Sequence, residues 1–300
     1  MKKIIVAAIS AAILMTSLIV PAFAAEGESV VALGADLSAE DRAVALELLG
    51  TSEDALAGQT VLTVTSEDAH KYLDGYLPQD VIGTNALSCC RLVPAESGSG
   101  ISVTTKNINY VTADMYKSAL ATAGVEDADV TVVSPHGATG TTALVGMLMA
   151  YGAKENILIS AEKIDAAVGE MITTGQIGEA IEDPEKAVEL VAAVKKVVAA
   201  KKLTNEDDID TVITDIASEL DVTLSDSEKH MIIDLMKKLS GIKLDPDMLS
   251  KQAGSIYERL TEKGIDLQEY GVSQSEMGGF LGTLAKLWNA LMDFFRNLVG

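Results

Sequence analysis

The sequence predicts an α/β sandwich whose mixed sheet is covered by helices, followed by an all-helical unit and an amphipathic terminal helix. Three observations predict it. Between Ser29 and Tyr151 short β-rich runs alternate with segments of helical apolar spacing; beyond Tyr151 the β-rich runs stop while helical spacing continues; and the last twenty-odd residues gather aromatic side chains on one stripe.

The elements follow in the order β-α-β-α-β-β-α-β-α. SVVALGAD opens as a strand, and SAEDRAVALELLG follows as a helix with Ser38 as N-cap, Asp41 three residues on and Gly50 as its stop. QTVLTVT is the next strand and SEDAHKYLDGYL the next helix. ALSCCRLVP and GISVTTKNI read as two strands joined by the turn-rich AESGSG. TADMYKSALATAG is a helix, DADVTVVSP a strand and GTTALVGMLMAY a helix. Set on one another, LSAEDRAVALELLG and VTADMYKSALATAG match Ala39 with Ala113, Ala45 with Ala119, Leu46 with Leu120 and Gly50 with Gly124. Either a duplicated β-α-β unit or plain recurrence of helix start and stop signals explains the echo.

The later segments are helical. DPEKAVELVAAVKKVVAAKK has Asp183 as cap and Pro184 at the first helical position, and SDSEKHMIIDLMKKLSG has Ser225 and Glu228 in capping-box register with Gly241 as stop. DPDMLSKQAGSIYERLTEKG repeats the Asp-Pro start. With ISAEKIDAAVGEMITTGQIGEAI and NEDDIDTVITDIASEL these make four or five helices. The expected division is an α/β domain over 28–153, a helical domain over 154–264, a linker over 265–279 and the terminal helix over 280–300.

Residues 1–24 read as an export signal: Lys2 and Lys3, an apolar run from Ile4 to Val20, then Pro21 and Ala22-Phe23-Ala24, with cleavage expected after Ala24. A secreted or envelope-associated protein is the expectation. Of 300 residues, 23 are basic and 44 acidic; without Lys2 and Lys3 the balance is 21 − 44 = −23. Such a surplus repels phosphate backbones and anionic lipid head groups over a Debye length of about 8 Å, which argues against nucleic acid as a partner.

The two cysteines, Cys89 and Cys90, are adjacent. On a strand they point to opposite faces, and their Cα atoms stand about 3.8 Å apart, closer than ordinary disulfide geometry allows. Two unlinked small hydrophobes is the favoured reading, ahead of a vicinal or intermolecular bridge and of reactive thiols. His70, His136 and His230 share no HExxH pattern, and neither Glu206-Asp207-Asp208 nor Glu126-Asp127 with Asp129 has calcium-loop spacing, so no metal or cofactor is implied. No GxSxG stretch is present, and in so acidic a chain any chosen carboxylate pair would be arbitrary.

The stretch Ser134 to Thr142 carries the one candidate site. A strand entering a glycine turn that opens a helix is where backbone N–H groups favour an anion, which would place Ser134, His136, Gly137, Gly140, Thr141 and Thr142 around a negative group. HGATGTTA lacks the lysine of a phosphate-binding loop, and its glycine spacing is not that of a dinucleotide fold. The favoured reading is a tight turn in which Gly137 takes positive φ while Gly140, Ala143 and Gly146 keep one helix face small. An anion pocket comes second, and acid–base catalysis by His136 third.

In the tail, Leu281, Leu284, Trp288, Leu291, Phe295 and Leu298 follow helical spacing, and Phe280, Leu287 and Phe294 widen the stripe. Lys286, Asp293 and Arg296 argue against a spanning helix. Phe280, Leu284, Trp288, Leu291 and Phe295 therefore form an expected attachment face. Its cover is the protein's own helices, a membrane interface or a partner chain, including a second copy of this one.

Leu33-Gly34-Ala35-Asp36-Leu37-Ser38, Ile82-Gly83 before Ala86, Ala123-Gly124-Val125 with Asp127-Ala128, Pro135 with Gly140, Ala143-Leu144 and Gly146, Leu224-Ser225 and the tail around Trp288-Asn289 together resemble the YpuA-like exported proteins of Gram-positive bacteria, a group of unknown function. The resemblance covers nearly all of the mature chain. It implies an exported protein of this layout and no catalytic residue to carry over. Cys89 and Cys90 stand where that pattern has small hydroxyl residues, and it has no histidine at 136, which speaks against a shared role for those three. An exported, non-enzymatic binding or assembly module is thus the favoured function; the alternative is an envelope enzyme or ligand-binding protein acting on an anionic compound at Ser134–Thr142.

Overall fold

The computed structural model describes residues 29–77, 82, 84–155 and 159–272. The expected export signal and terminal helix lie outside the described residues. A mixed sheet is formed by β1 (Val30–Gly34), β2 (Thr60–Val64), β3 (Cys89–Pro94), β4 (Ile101–Ile108) and β5 (Ala128–Ala138), in the order β2-β1-β3-β5-β4. β1 pairs parallel with β2 and β4 parallel with β5, whereas β3 runs antiparallel to both β1 and β5. The strands joined by AESGSG are therefore not neighbours, because β5 lies between them. The connection instead wraps the start of β5: the Ala95 N–H donates to Asp127 O at 2.7 Å and the Gly100 N–H to Asp127 Oδ1 at 2.8 Å.

Among the described residues, four α-helices of eight residues or more alternate with these strands: α1 (Ala39–Leu48), α2 (Ser66–Leu73), α3 (Ala113–Ala123) and α4 (Thr141–Glu155). The Ser38 hydroxyl accepts from the Asp41 N–H as its sequence position demands, Thr65 and Asp68 form a reciprocal capping box, and Gly124 ends α3 at φ +85°. α1 covers one face of the sheet, with Ala45, Leu46 and Leu49 over Val31, Leu33, Cys89 and Val133. α3 and α4 cover the other, over Val30, Ala32, Cys90, Leu92, Val130 and Val132. α1 and α3 thus lie on opposite faces, which a simple duplication of one β-α-β unit would not produce, and recurrent capping signals account for their sequence echo.

The helical layer comprises α5 (Ala161–Ala180), α6 (Pro184–Lys201), α7 (Glu206–Glu219), α8 (Asp226–Ser240), α9 (Pro246–Gln252) and α10 (Gly254–Glu262). Asp183 with Pro184 and Ser225 with Glu228 start α6 and α8 as their sequences predict. The last segment is two helices rather than one, broken at Ala253 (φ −110°, ψ 31°) just before the poor helix former Gly254. The break leaves Gln252 Oε1 to accept from the Asp127 N–H at 2.8 Å. One continuous hydrophobic core joins the α3/α4 face of the sheet to this layer, from Val30 to Val272. Packing extends past 264, for Ile265, Leu267 and Val272 are buried in that core. Among the described residues, no helix is long and apolar enough to cross a membrane.

Cys89 and Cys90 are buried, unlinked and on opposite sheet faces. Burial pushes the Cys89 thiol up to about 11, against a backbone hydrogen bond to Gly34 and the charge of Arg42, and raises that of Cys90 further still. Both stay as unreactive thiols near neutral pH. At pH 8 the folded chain is expected to take up no maleimide while the chain in denaturant takes up two equivalents; fast labelling of the folded protein would contradict this packing.

Candidate functional site

β1, β2, β4 and β5 all point the same way, so their carboxyl ends share one edge of the sheet, where the N-termini of α1 to α4 also gather. That edge is where α/β proteins place ligands. The stretch singled out from sequence lies there, in a form the sequence did not disclose. The β4–β5 register jumps from Lys106 opposite Val133 to Ile108 opposite Ala138, so Ser134 to Gly137 leave the ladder opposite Asn107 alone. Asn107 makes the bulge by adopting φ +58° and donating from Nδ2 to Ser134 O at 3.0 Å.

The predicted residues do not converge on one point. Ser134 is fully buried, and its hydroxyl has no partner among the described residues. The His136 side chain is exposed, with Nε2 2.8 Å from Asp41 Oδ1 on α1. Asp41 Oδ2 accepts from the Ser38 hydroxyl at 2.9 Å, so serine, aspartate and histidine share one carboxylate, but the hydroxyl faces the carboxylate and not the imidazole. That is a helix cap with a histidine attached to it. A nucleophile–base pair would need the imidazole to accept from the hydroxyl.

Gly137 belongs to β5, and the residue with positive φ is Gly140, at +90°. This corrects the expectation that Gly137 makes the turn. The Gly140 carbonyl accepts from the Tyr116 hydroxyl at 2.5 Å and from the Ala143 N–H at 3.1 Å. Thr141 is buried, with its hydroxyl 3.4 Å from that of Thr139, and Thr142 is half-buried. Gly146 has the role expected of it: a Cβ there would stand 2.9 Å from Val64 Cγ2 and 3.3 Å from Ala32 Cβ, so its absence lets α4 approach the sheet.

Sequence reasoning missed a second polar centre, buried between α3, α5 and α6. Lys195 and Glu170 pair at 2.7 Å with both side chains 1% exposed. Lys195 Nζ also donates to Ser118 O at 3.2 Å and lies 2.9 Å from the hydroxyls of both Ser118 and Thr122. The two hydroxyls donate to the two Glu170 oxygens. Burial pulls the Lys195 ammonium down in pKa while the Glu170 carboxylate opposes the shift. The signal was available: VAAVKKVVAA sets two lysines in a helix that is apolar all round, and such a helix is buried. Lys196 is likewise buried, its Nζ 4.5 Å from the centre of the Tyr257 ring and bonded to the Ser250 hydroxyl. Among the described residues, no group of three or more histidine, cysteine or acidic side chains is arranged to hold a metal ion.

The fold and this edge define an α/β protein with an appended helical layer, and residues 33–256 match the family described as a protein of unknown function (DUF1002). The chain belongs to that family. It is similar to the uncharacterized protein YpuA of Bacillus subtilis (strain 168), with 35% identity over 301 aligned positions that cover 99% of this chain and 100% of that protein. The resemblance read from Leu33-Gly34-Ala35-Asp36 and the later motifs therefore holds. No solved structure matches the chain.

Proposed function

We propose that this is an exported, non-enzymatic binding or assembly protein of the cell envelope, attached through residues 280–300. One observation carries the reading. Among the described residues the only large apolar side chains left exposed are Val44 and Val61, at 41% and 39%. They sit on α1 and β2, and two isolated valines make no apolar face. A helix over residues 280–300 would be roughly 30 Å long. Its stripe of Phe280, Leu284, Trp288, Leu291 and Phe295 needs a cover of comparable length. A lipid interface, a partner or a second copy supplies such a cover, and Lys286 and Arg296 on the opposite side suit a helix lying in an interface. The charged start and apolar run of residues 1–24 support export.

The test is deletion of residues 276–300 in a Gram-positive host. The shortened protein is expected in the culture fluid, or as a smaller species by light scattering, while the full chain stays with the cells or in its larger assembly. A shortened protein that remains cell-bound and unchanged in size would refute attachment through this segment.

A further inference from the structure

A cleft of about 450 Å³ opens where the C-terminal ends of α6 and α8 meet the chain that follows each. That volume falls in the range of small-molecule sites. Its walls are aliphatic, from Val198, Ala199, Leu239 and Leu244, and its cations are Lys195, Lys202 and Lys243. The Lys195 side chain is 1% exposed and its charge is committed inward to Glu170, so it offers the cleft no free cation. Lys202 and Lys243 are exposed, and neither side chain has an ion pair or hydrogen bond among the described residues. In a chain with 44 acidic and 23 basic residues, two unpaired cations beside one apolar cleft are conspicuous. Of the neighbouring lysines, Lys237 pairs with Glu206, Lys238 with Asp165 and Lys229 with Asp210, while Lys201, also without an ion pair among the described residues, lies beside Gly271.

Lys202 and Lys243 follow their helices at φ of +54° and +46°, the left-handed stop that Glu182 and Asp221 also make at +56° and +52°. Interaction with the helix C-termini explains a positive charge at each place, but not why both flank an apolar cavity.

We propose that this cleft binds a free amphipathic monoanion of the fatty-acid class, with the acyl chain along Val198, Ala199, Leu239 and Leu244 and the carboxylate at Lys202 and Lys243. A multiply charged phosphate fits less well. The outward carbonyls of two helix ends oppose a dianion, and the cleft has no arginine fork among its lining residues. The site is independent of attachment through the terminal segment.

The test is calorimetric titration of the mature chain, residues 25–300, with dodecanoate below its micelle concentration. Saturable binding at one site per chain is expected, with none for dodecyltrimethylammonium, which has the same chain and the opposite charge. The Lys202→Gly/Lys243→Gly double variant removes both charges and relaxes both left-handed residues, so its unfolding midpoint is expected to hold while binding weakens about tenfold or more. Ala199→Trp, which fills the cleft and keeps the lysines, is expected to block binding. The proposal is overturned if dodecanoate does not bind, if the double variant binds it undiminished, or if the quaternary ammonium binds equally well. It is overturned too if dodecanoate fails and amine cross-linking joins Lys202 to Lys286, because the chain's own terminal segment is then the occupant.

Discussion

Lys195→Met is expected to lower folding stability by about 3 to 5 kcal/mol, as removing one partner of a buried ion pair does. The substitution leaves the Glu170 carboxylate 1% exposed with only the hydroxyls of Ser118 and Thr122 to satisfy it. Glu170→Leu is expected to cost a similar amount for the mirror-image reason, since the ammonium keeps Ser118 O and two hydroxyls but loses its counter-charge. Lys195→Met/Glu170→Leu removes both charges and leaves two hydroxyls that can turn back to their own helix carbonyls, so it should cost less than either single change. Urea unfolding of the four proteins measures the coupling. Additive losses would show that the two groups do not act as a pair.

The cost of burying such a pair raises the matter of what it does. Ser118 and Thr122 lie on α3, Glu170 on α5 and Lys195 on α6, so the joint fixes the helix that covers the sheet against two helices of the outer layer. A second joint repeats the device. Glu189 on α6, fully buried, accepts from Lys263 at 2.6 Å and from Arg259 at 3.2 Å, and Arg259 reaches Asp114 at the start of α3 at 2.8 Å. Aliphatic helix faces pack in several registers at similar cost, whereas these charges are satisfied in only one. The continuous core from Val30 to Val272 is what the two joints align.

These joints also mark the limit of what the sequence discloses. Capping is local: Ser38 with Asp41, Asp183 with Pro184 and Ser225 with Glu228 announce their helices within four residues, and the structure places all three as read. Strand order is not local. Nothing in ALSCCRLVP or GISVTTKNI records that β5, which begins only at Ala128, inserts between them. The Ser134–Gly137 bulge depends on Asn107, a residue of another strand, and was legible only as a glycine-rich stretch of uncertain form. Glu170 reads as one more acid among 44 until the Lys195 side chain is placed beside it. The lysines of the cleft look like ordinary helix ends because their left-handed φ leaves no trace in residue type.

Gly140→Ala decides what the strand-to-helix junction is for, and it is expected to cost about 3 kcal/mol of stability from two sources. A side chain at φ +90° is strained wherever it points. Here it also points into filled space: the added Cβ would stand 2.3 Å from the Tyr116 hydroxyl and 2.6 Å from Ile108 Cγ2. Tyr116 cannot yield freely, because its ring is wholly buried and its hydroxyl is held by the Gly140 carbonyl at 2.5 Å. Tyr116→Phe alone is expected to lose about 1 kcal/mol with that hydrogen bond. In the Tyr116→Phe background the nearest clashing atom is gone, so Gly140→Ala should cost less there than in the parent chain, the φ strain and the Ile108 contact remaining. Urea midpoints of the four chains give the answer. Were this turn an anion cradle whose glycine serves only to admit a ligand, Gly140→Ala would leave unfolding where it was, with or without Tyr116, and the shared loss predicted from φ and contact would be missing.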